Sequence, residues 1–167
     1  MNSTGNSQTL RWIRFNLAVV IFGLFISGAT AIPLVPEADF LHRLVNKYDI
    51  LAPAREWVQT VYAAILDTNS RYHFMFYGTD WLAFGHFVIA IAFIGPLRDP
   101  VRNKWVIDFG IIACLLIIPY ALIFGGIRGI PLWWRLIDCA FGIFGVIPLW
   151  FARRATIQLE RSTPVAT

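Results

Sequence analysis

The chain has 167 residues, of which 57% are apolar and 14% charged, with a formal net charge of +4. Soluble proteins average about 45–50% apolar and about 25% charged, so these values speak against a soluble globular domain. They also speak against a nucleic-acid surface, because the basic residues sit at the ends of apolar runs, where membrane topology and headgroup contact account for them. Those runs approach the ~20 residues a helix needs to cross a hydrocarbon core. The expected fold class is therefore all-α integral membrane. Residues 1–167 should form a single membrane domain, a four-transmembrane-helix bundle with two short amphipathic helices in the connection between spans 1 and 2.

Met1 to Leu10 is polar and reads as a disordered start. Arg11 and Arg14 precede an apolar run from Phe15 to Val35. Ala29-Thr30-Ala31 has the small residues of a signal-peptide cleavage site, but we read the run as the first span, about 14–35. Asn16, Gly23, Ser27 and Ala31 share one face, where small residues allow close helix approach.

Residues 36–77 form the long connection, taken as extracytoplasmic. Leu41, Leu44, Val45 and Tyr48 recur at helical spacing, and Val58, Val61, Tyr62 and Ile65 repeat it. Pro36 and Pro53 suit first-turn positions, and Glu37 and Glu56 suit the positive start of a helix. Two short amphipathic helices on the membrane surface follow, either capping the bundle or forming a lid. The aromatic stretch from Tyr72 to Trp81 reads as an interfacial belt.

The second span is expected over about 80–97, ended by Gly95-Pro96. A short basic connector from Arg98 to Lys104 follows. The third span covers about 105–124, with Pro119 predicted to kink it. Gly125 to Gly129 makes a tight turn, and Pro131 opens the fourth span, about 131–151, which ends before Arg153 and Arg154.

Arg11, Arg14, Arg98, Arg102, Lys104, Arg153, Arg154 and Arg161 fall on one side of this arrangement. The other side dilutes Arg43, Lys47, Arg55, Arg71 and Arg128 with five carboxylates. The positive-inside rule then puts both termini in the cytoplasm, consistent with a bacterial inner membrane. Trp12, Trp105 and Trp150 fall at the inner boundary, and Trp81, Trp133 and Trp134 at the outer one. In outline, one span, a long connection and three further spans resemble the sterol-isomerase and sigma-2-receptor type of membrane domain. That resemblance implies a hydrophobic-ligand cavity opening outward.

A helix rises ~1.5 Å per residue, which puts His86, Tyr120 and Asp138 roughly 8–11 Å below the outer surface. Arg135 lies one turn higher, and Asp80 and Arg128 lie near the mouth. Arg135, Asp138, Gly142 and Gly145 share a face of the fourth span, and Ala83, His86 and Ala90 share a face of the second. Ionisable residues inside spans usually face the protein interior and mark sites. They equally form structural networks: Arg135 can pair with Asp138 at i, i+3, Asp80 can cap the second span, and His86 can bond Asp138. Asp108 is expected to pair locally with Arg102 or Lys104.

The ligand-binding candidates are thus Asp80, His86, Tyr120, Arg128, Arg135 and Asp138, with His86 and Asp138 as acid/base candidates. No metal-ligand spacing, nucleophile elbow or phosphate-binding loop occurs, so no metal or cofactor is expected. Cys114 and Cys139 read as free, buried thiols. The expected function is binding of a small amphipathic ligand or lipid headgroup in an outward-facing polar pocket, with Arg128 and Arg135 holding an anion. The alternatives are a small membrane enzyme acting on a lipid-like substrate through His86 and Asp138, and an accessory subunit without a ligand. Expected partners are membrane lipids and further copies or other subunits, not nucleic acid.

Overall fold

The computed structural model describes residues 3–162. In chain order these form α1 (Ser3–Thr30), α2 (Leu34–Lys47), α3 (Ala52–Tyr72), α4 (Tyr77–Ala92), α5 (Ile94–Arg98), α6 (Lys104–Ile127) and α7 (Leu132–Ser162), with no strand among the described residues. Single 3-10 turns at Asp49–Leu51 and His73–Phe76 lead into α3 and α4. Four helical stretches are long and apolar enough to cross a membrane: Gly5–Thr30, Asp49–Arg98, Lys104–Ile127 and Leu132–Ser162. At most 22% of the apolar window of each is buried within the protein, so most of that surface faces outward. The chain divides into two compact units, Met1–Gly23 with Ile89–Thr167, and Leu24–Val88.

The first unit is built on the α6–α7 hairpin. Gly142 of α7 lies against the Cys114 carbonyl of α6, and a Cβ there would collide with that backbone oxygen. Gly145 sits over the Cys114 side chain, one turn further on. Glycines at this spacing let two helix backbones approach closely, as small residues do between apolar helices. Cys139 is buried and Cys114 half-buried, both free. Gly110 opens a slot for Phe93 and Leu149, which are 2% and 1% exposed.

The turn between the two helices has the hydrogen bonds of a Schellman cap. Ile130 N donates to Gly125 O at 2.8 Å, and Gly129 N to Gly126 O at 3.1 Å. Gly129 takes φ +70, the left-handed conformation this cap requires and a side chain resists. The Pro131 carbonyl then accepts from Trp134 N and Arg135 N, both at 3.1 Å, which starts α7.

The opposite end of the hairpin is held by charge. Arg153 Nε donates to Asp108 Oδ1, with both side chains partly buried. Lys104 Nζ meets Glu160 Oε2 at 2.7 Å. Asp108 therefore pairs across to α7, not locally with Arg102 or Lys104. These ties, with Ala152, Ala155 and Thr156 buried, carry α7 eleven residues past Phe151 to Ser162. Arg14 Nε reaches the Leu97 carbonyl at 3.2 Å, and Ile13, Asn16 and Leu17 of α1 are buried.

Two sequence expectations need correction here. The segment before Leu10 is helical from Ser3, and Asn6 Oδ1 accepts from Ser162 Oγ at 3.2 Å. The second long stretch breaks at Phe93 and resumes as α5. Pro96 is the cause, because it has no N–H to give the Ala92 carbonyl, the last residue of α4. α6 runs without interruption through Pro119.

In the second unit α2 and α3 form a hairpin. Val45 and Val58 are 2% and 4% exposed, while Leu41, Leu44, Val61, Tyr62 and Ile65 are half-buried. Polar groups complete it: Arg55 Nε donates to Val45 O at 3.2 Å, Tyr62 OH to Asp39 Oδ1 at 3.4 Å, and His42 stacks on Tyr62 at 4.3 Å. α3 has 21 residues, which is longer than expected, and its first turn holds Pro53 but not Glu56. Elsewhere in this unit Gly28 of α1 meets the Ala83 carbonyl, His86 Cβ and Phe87 of α4. The close contact on α1 is thus Gly28, one helix face away from Gly23, which has nothing near it.

Two predictions follow from these contacts. Gly142→Ala should lower the melting temperature of the detergent-purified chain by the ~1–3 kcal/mol of an overpacked contact. It should do so although alanine is the better helix former by about 1 kcal/mol, whereas Gly23→Ala should be neutral or stabilising in the same assay. Separately, Asp108→Leu should cost about 1–2 kcal/mol by leaving Arg153 without its counter-charge. Adding Arg153→Met should recover most of that loss, because an apolar pair replaces the ionic one; a double-mutant cycle in thermal unfolding measures both.

Candidate functional site

The predicted site residues divide between the two units. Asp80 and His86 lie in the second, and Tyr120, Arg128, Arg135 and Asp138 in the first.

In the second unit His86 is half-buried on α4 beside Gly28. Its Nδ1 lies 2.8 Å from the Leu82 carbonyl one turn earlier. A carbonyl only accepts, so Nδ1 is the donor of this bond. Ala83 and Ala90 on the same face are buried, as their spacing implied. Asp80 is in the first turn of α4, where a carboxylate complements the helix dipole. It is exposed and caps nothing by hydrogen bond among the described residues.

In the first unit the centre is Arg135. Its stem crosses from α7 to the last turns of α6, where a Cβ on Gly125 would stand 2.5 Å from Arg135 Cδ. One guanidinium nitrogen, Nη1, donates to the Leu122 carbonyl at 3.2 Å. The seat is electrostatically sound, since the C-terminal end of a helix favours a cation. It is also incomplete: Arg135 Nε is buried and has no hydrogen-bond partner among the described residues.

Asp138 is half-buried one turn along, between the Arg135–Gly125 and Gly142–Cys114 contacts on the same face of α7. No ion pair joins it to Arg135 or to any other described residue, although the i, i+3 spacing permits one. The Gly125–Gly126 seat draws the guanidinium toward α6 and away from the carboxylate. Arg128, the C-cap residue of α6, and Tyr120 are both exposed, with the Tyr120 ring 4.5 Å from that of Phe124. The structure thus gathers Arg135 and Asp138 on one face at the α6–α7 turn, with Arg128 in the turn itself.

No group of three His, Cys, Asp or Glu side chains converges among the described residues. One groove of about 530 Å³ lies at the other end of the first unit, between Trp12 of α1 and Phe151, Arg154, Gln158 and Arg161 of α7. Sequence reasoning gave Trp12, Phe151, Arg154 and Arg161 boundary and topology roles only, and did not single out Gln158. The available signal was the spacing of Arg154, Gln158 and Arg161 at i, i+4 and i+7, which puts them on one helix face.

No family model, curated protein or solved structure matches this chain. The outline shared with the sterol-isomerase and sigma-2-receptor type therefore gains no support from comparison.

Proposed function

We propose that the chain is a small polytopic membrane protein that binds an amphipathic molecule or lipid headgroup at the α6–α7 turn, through Arg135 and Arg128. The observation that carries this reading is the buried, partnerless Nε of Arg135, one turn from a carboxylate that does not pair with it. Desolvating such groups without partners is costly, and a guanidinium matches a carboxylate or phosphate in shape and charge. Asp138 would orient the ligand's polar end, and Tyr120 would line the approach. The outward-facing apolar surface of four long helices supports a bilayer as their surroundings. Within it, the positive-inside rule supports cytoplasmic termini, a bacterial inner membrane, and an amphipathic α2–α3 hairpin at the outer interface.

A second reading, a small membrane enzyme, is favoured by one observation. His86 has Nδ1 held by Leu82 O, which leaves Nε2 as the basic nitrogen, the arrangement a general base needs.

Dodecyl phosphate, a single-chain amphipathic anion, is a suitable probe of the binding reading. It should raise the melting temperature of the detergent-purified chain, and Arg135→Gln should remove most of that rise. Equal losses with and without the probe would assign Arg135 to structure alone. The orientation is tested by single cysteines at Ser70 and Ser162 in a variant lacking Cys114 and Cys139. An impermeant maleimide on intact cells should label Ser70→Cys and spare Ser162→Cys.

A further inference from the structure

We propose that the groove between Trp12 and the C-terminal turns of α7 is a site for one anionic phospholipid, its phosphate held by Arg154 and Arg161. This inference rests on the reading that the long helices cross a bilayer, and it concerns the end opposite Arg135.

Of the basic residues at that end, Arg154 and Arg161 are the two that line the groove. Arg153 is neutralised by Asp108 and Lys104 by Glu160, and Arg14 donates to the Leu97 carbonyl. Arg154 and Arg161 are exposed and form no ion pair among the described residues. Both line the groove, at i and i+7 of one helix face, with Gln158 between them as a further donor. No carboxylate lines it. The Arg154 guanidinium lies 6.0 Å over the Trp150 ring, which holds the charge at the aromatic boundary.

The other wall is apolar. Trp12 and Phe151 meet edge to face at 6.3 Å and remain 49% and 45% exposed, so the groove continues onto bare aromatic surface. Trp12 also stacks on Phe15, which is 60% exposed. Two unpaired cations above an aromatic wall fit a molecule with an anionic head and an acyl tail. Inorganic phosphate would use only half of these contacts, and a zwitterionic headgroup would bring its own cation to Arg154 and Arg161. The groove volume of about 530 Å³ is of the size that holds a small-molecule-sized group, which suits a headgroup with the first part of its chains.

The test is native mass spectrometry of the full chain in a neutral detergent, with added phosphatidylglycerol, phosphatidylcholine or inorganic phosphate. One phosphatidylglycerol per chain should be retained in preference to phosphatidylcholine. Arg154→Gln with Arg161→Gln should lower that retention roughly tenfold, from the loss of two charge contacts near the headgroup. Raised salt should weaken it in the wild type. Arg161→Gln alone, at an exposed helix end, should give a partial loss with an unchanged lipid-free melting temperature. That variant keeps the test valid if the double variant folds poorly. Equal retention of both lipids, equal retention in wild type and Arg161→Gln, or binding of inorganic phosphate in place of lipid would overturn the proposal. Alkaline carbonate extraction separates its failure from that of the membrane reading. A chain that stays in the membrane pellet but retains no phosphatidylglycerol defeats the groove alone, and a chain released to the supernatant defeats both.

Discussion

The close approach of α6 and α7 at Gly142 is the contact on which the first unit depends. In water, two apolar helices associate because their surfaces leave the solvent. In the lipid surroundings we propose, that gain is largely absent and direct packing must supply the attraction. A glycine facing the Cys114 carbonyl brings the backbones together, and Gly145 over the Cys114 side chain extends the contact by a turn. The Schellman cap at Gly129 then satisfies the last carbonyls of α6 within a few residues and delivers the chain into α7 without a long loop. Arg135 reaches the Leu122 carbonyl only because this turn is tight and Gly125 leaves room for its stem.

Charge is handled differently at the two ends of the hairpin. Away from the turn, the Asp108–Arg153 and Lys104–Glu160 pairs cross between helices and extend α7 well past its apolar portion. Such pairs fix register more than they add stability, since desolvation offsets much of their attraction. At the turn, Arg135 and Asp138 sit on one helix face without pairing. The first pattern is that of a clamp, and in the second the two groups stay apart, with Arg135 bonded to the Leu122 carbonyl instead. This difference, more than the mere presence of charge in apolar helices, is why we place ligand recognition at the turn.

The α2–α3 hairpin of the second unit is assembled by other means. Only Val45 and Val58 are fully buried between its helices, and side-chain hydrogen bonds from Arg55, Gln59 and Tyr62 do the rest of the joining. Its outer surface keeps Phe40, Ile50 and Tyr48 exposed. With so small a core, the hairpin leaves these three residues uncovered by the rest of the described chain.

The number of long apolar helices was legible in the sequence, because apolar length and flanking charge are local properties. So was a turn at Gly129, the residue a left-handed cap requires, although Gly125 to Ile127, read as part of that turn, belong to the end of α6. The helix break near Gly95-Pro96 was foreseen, but its position at Phe93 follows from which carbonyl loses its donor, four residues before the proline. The partners of the charged residues were not legible. Asp108 joins an arginine 45 positions away, and Arg135 prefers a carbonyl of α6 to the carboxylate three residues along its own helix. Spacing along a chain says which groups share a face. Only the packing of that face against another helix, decided here by two glycines and the turn between them, determines which of those groups find a partner and which remain available.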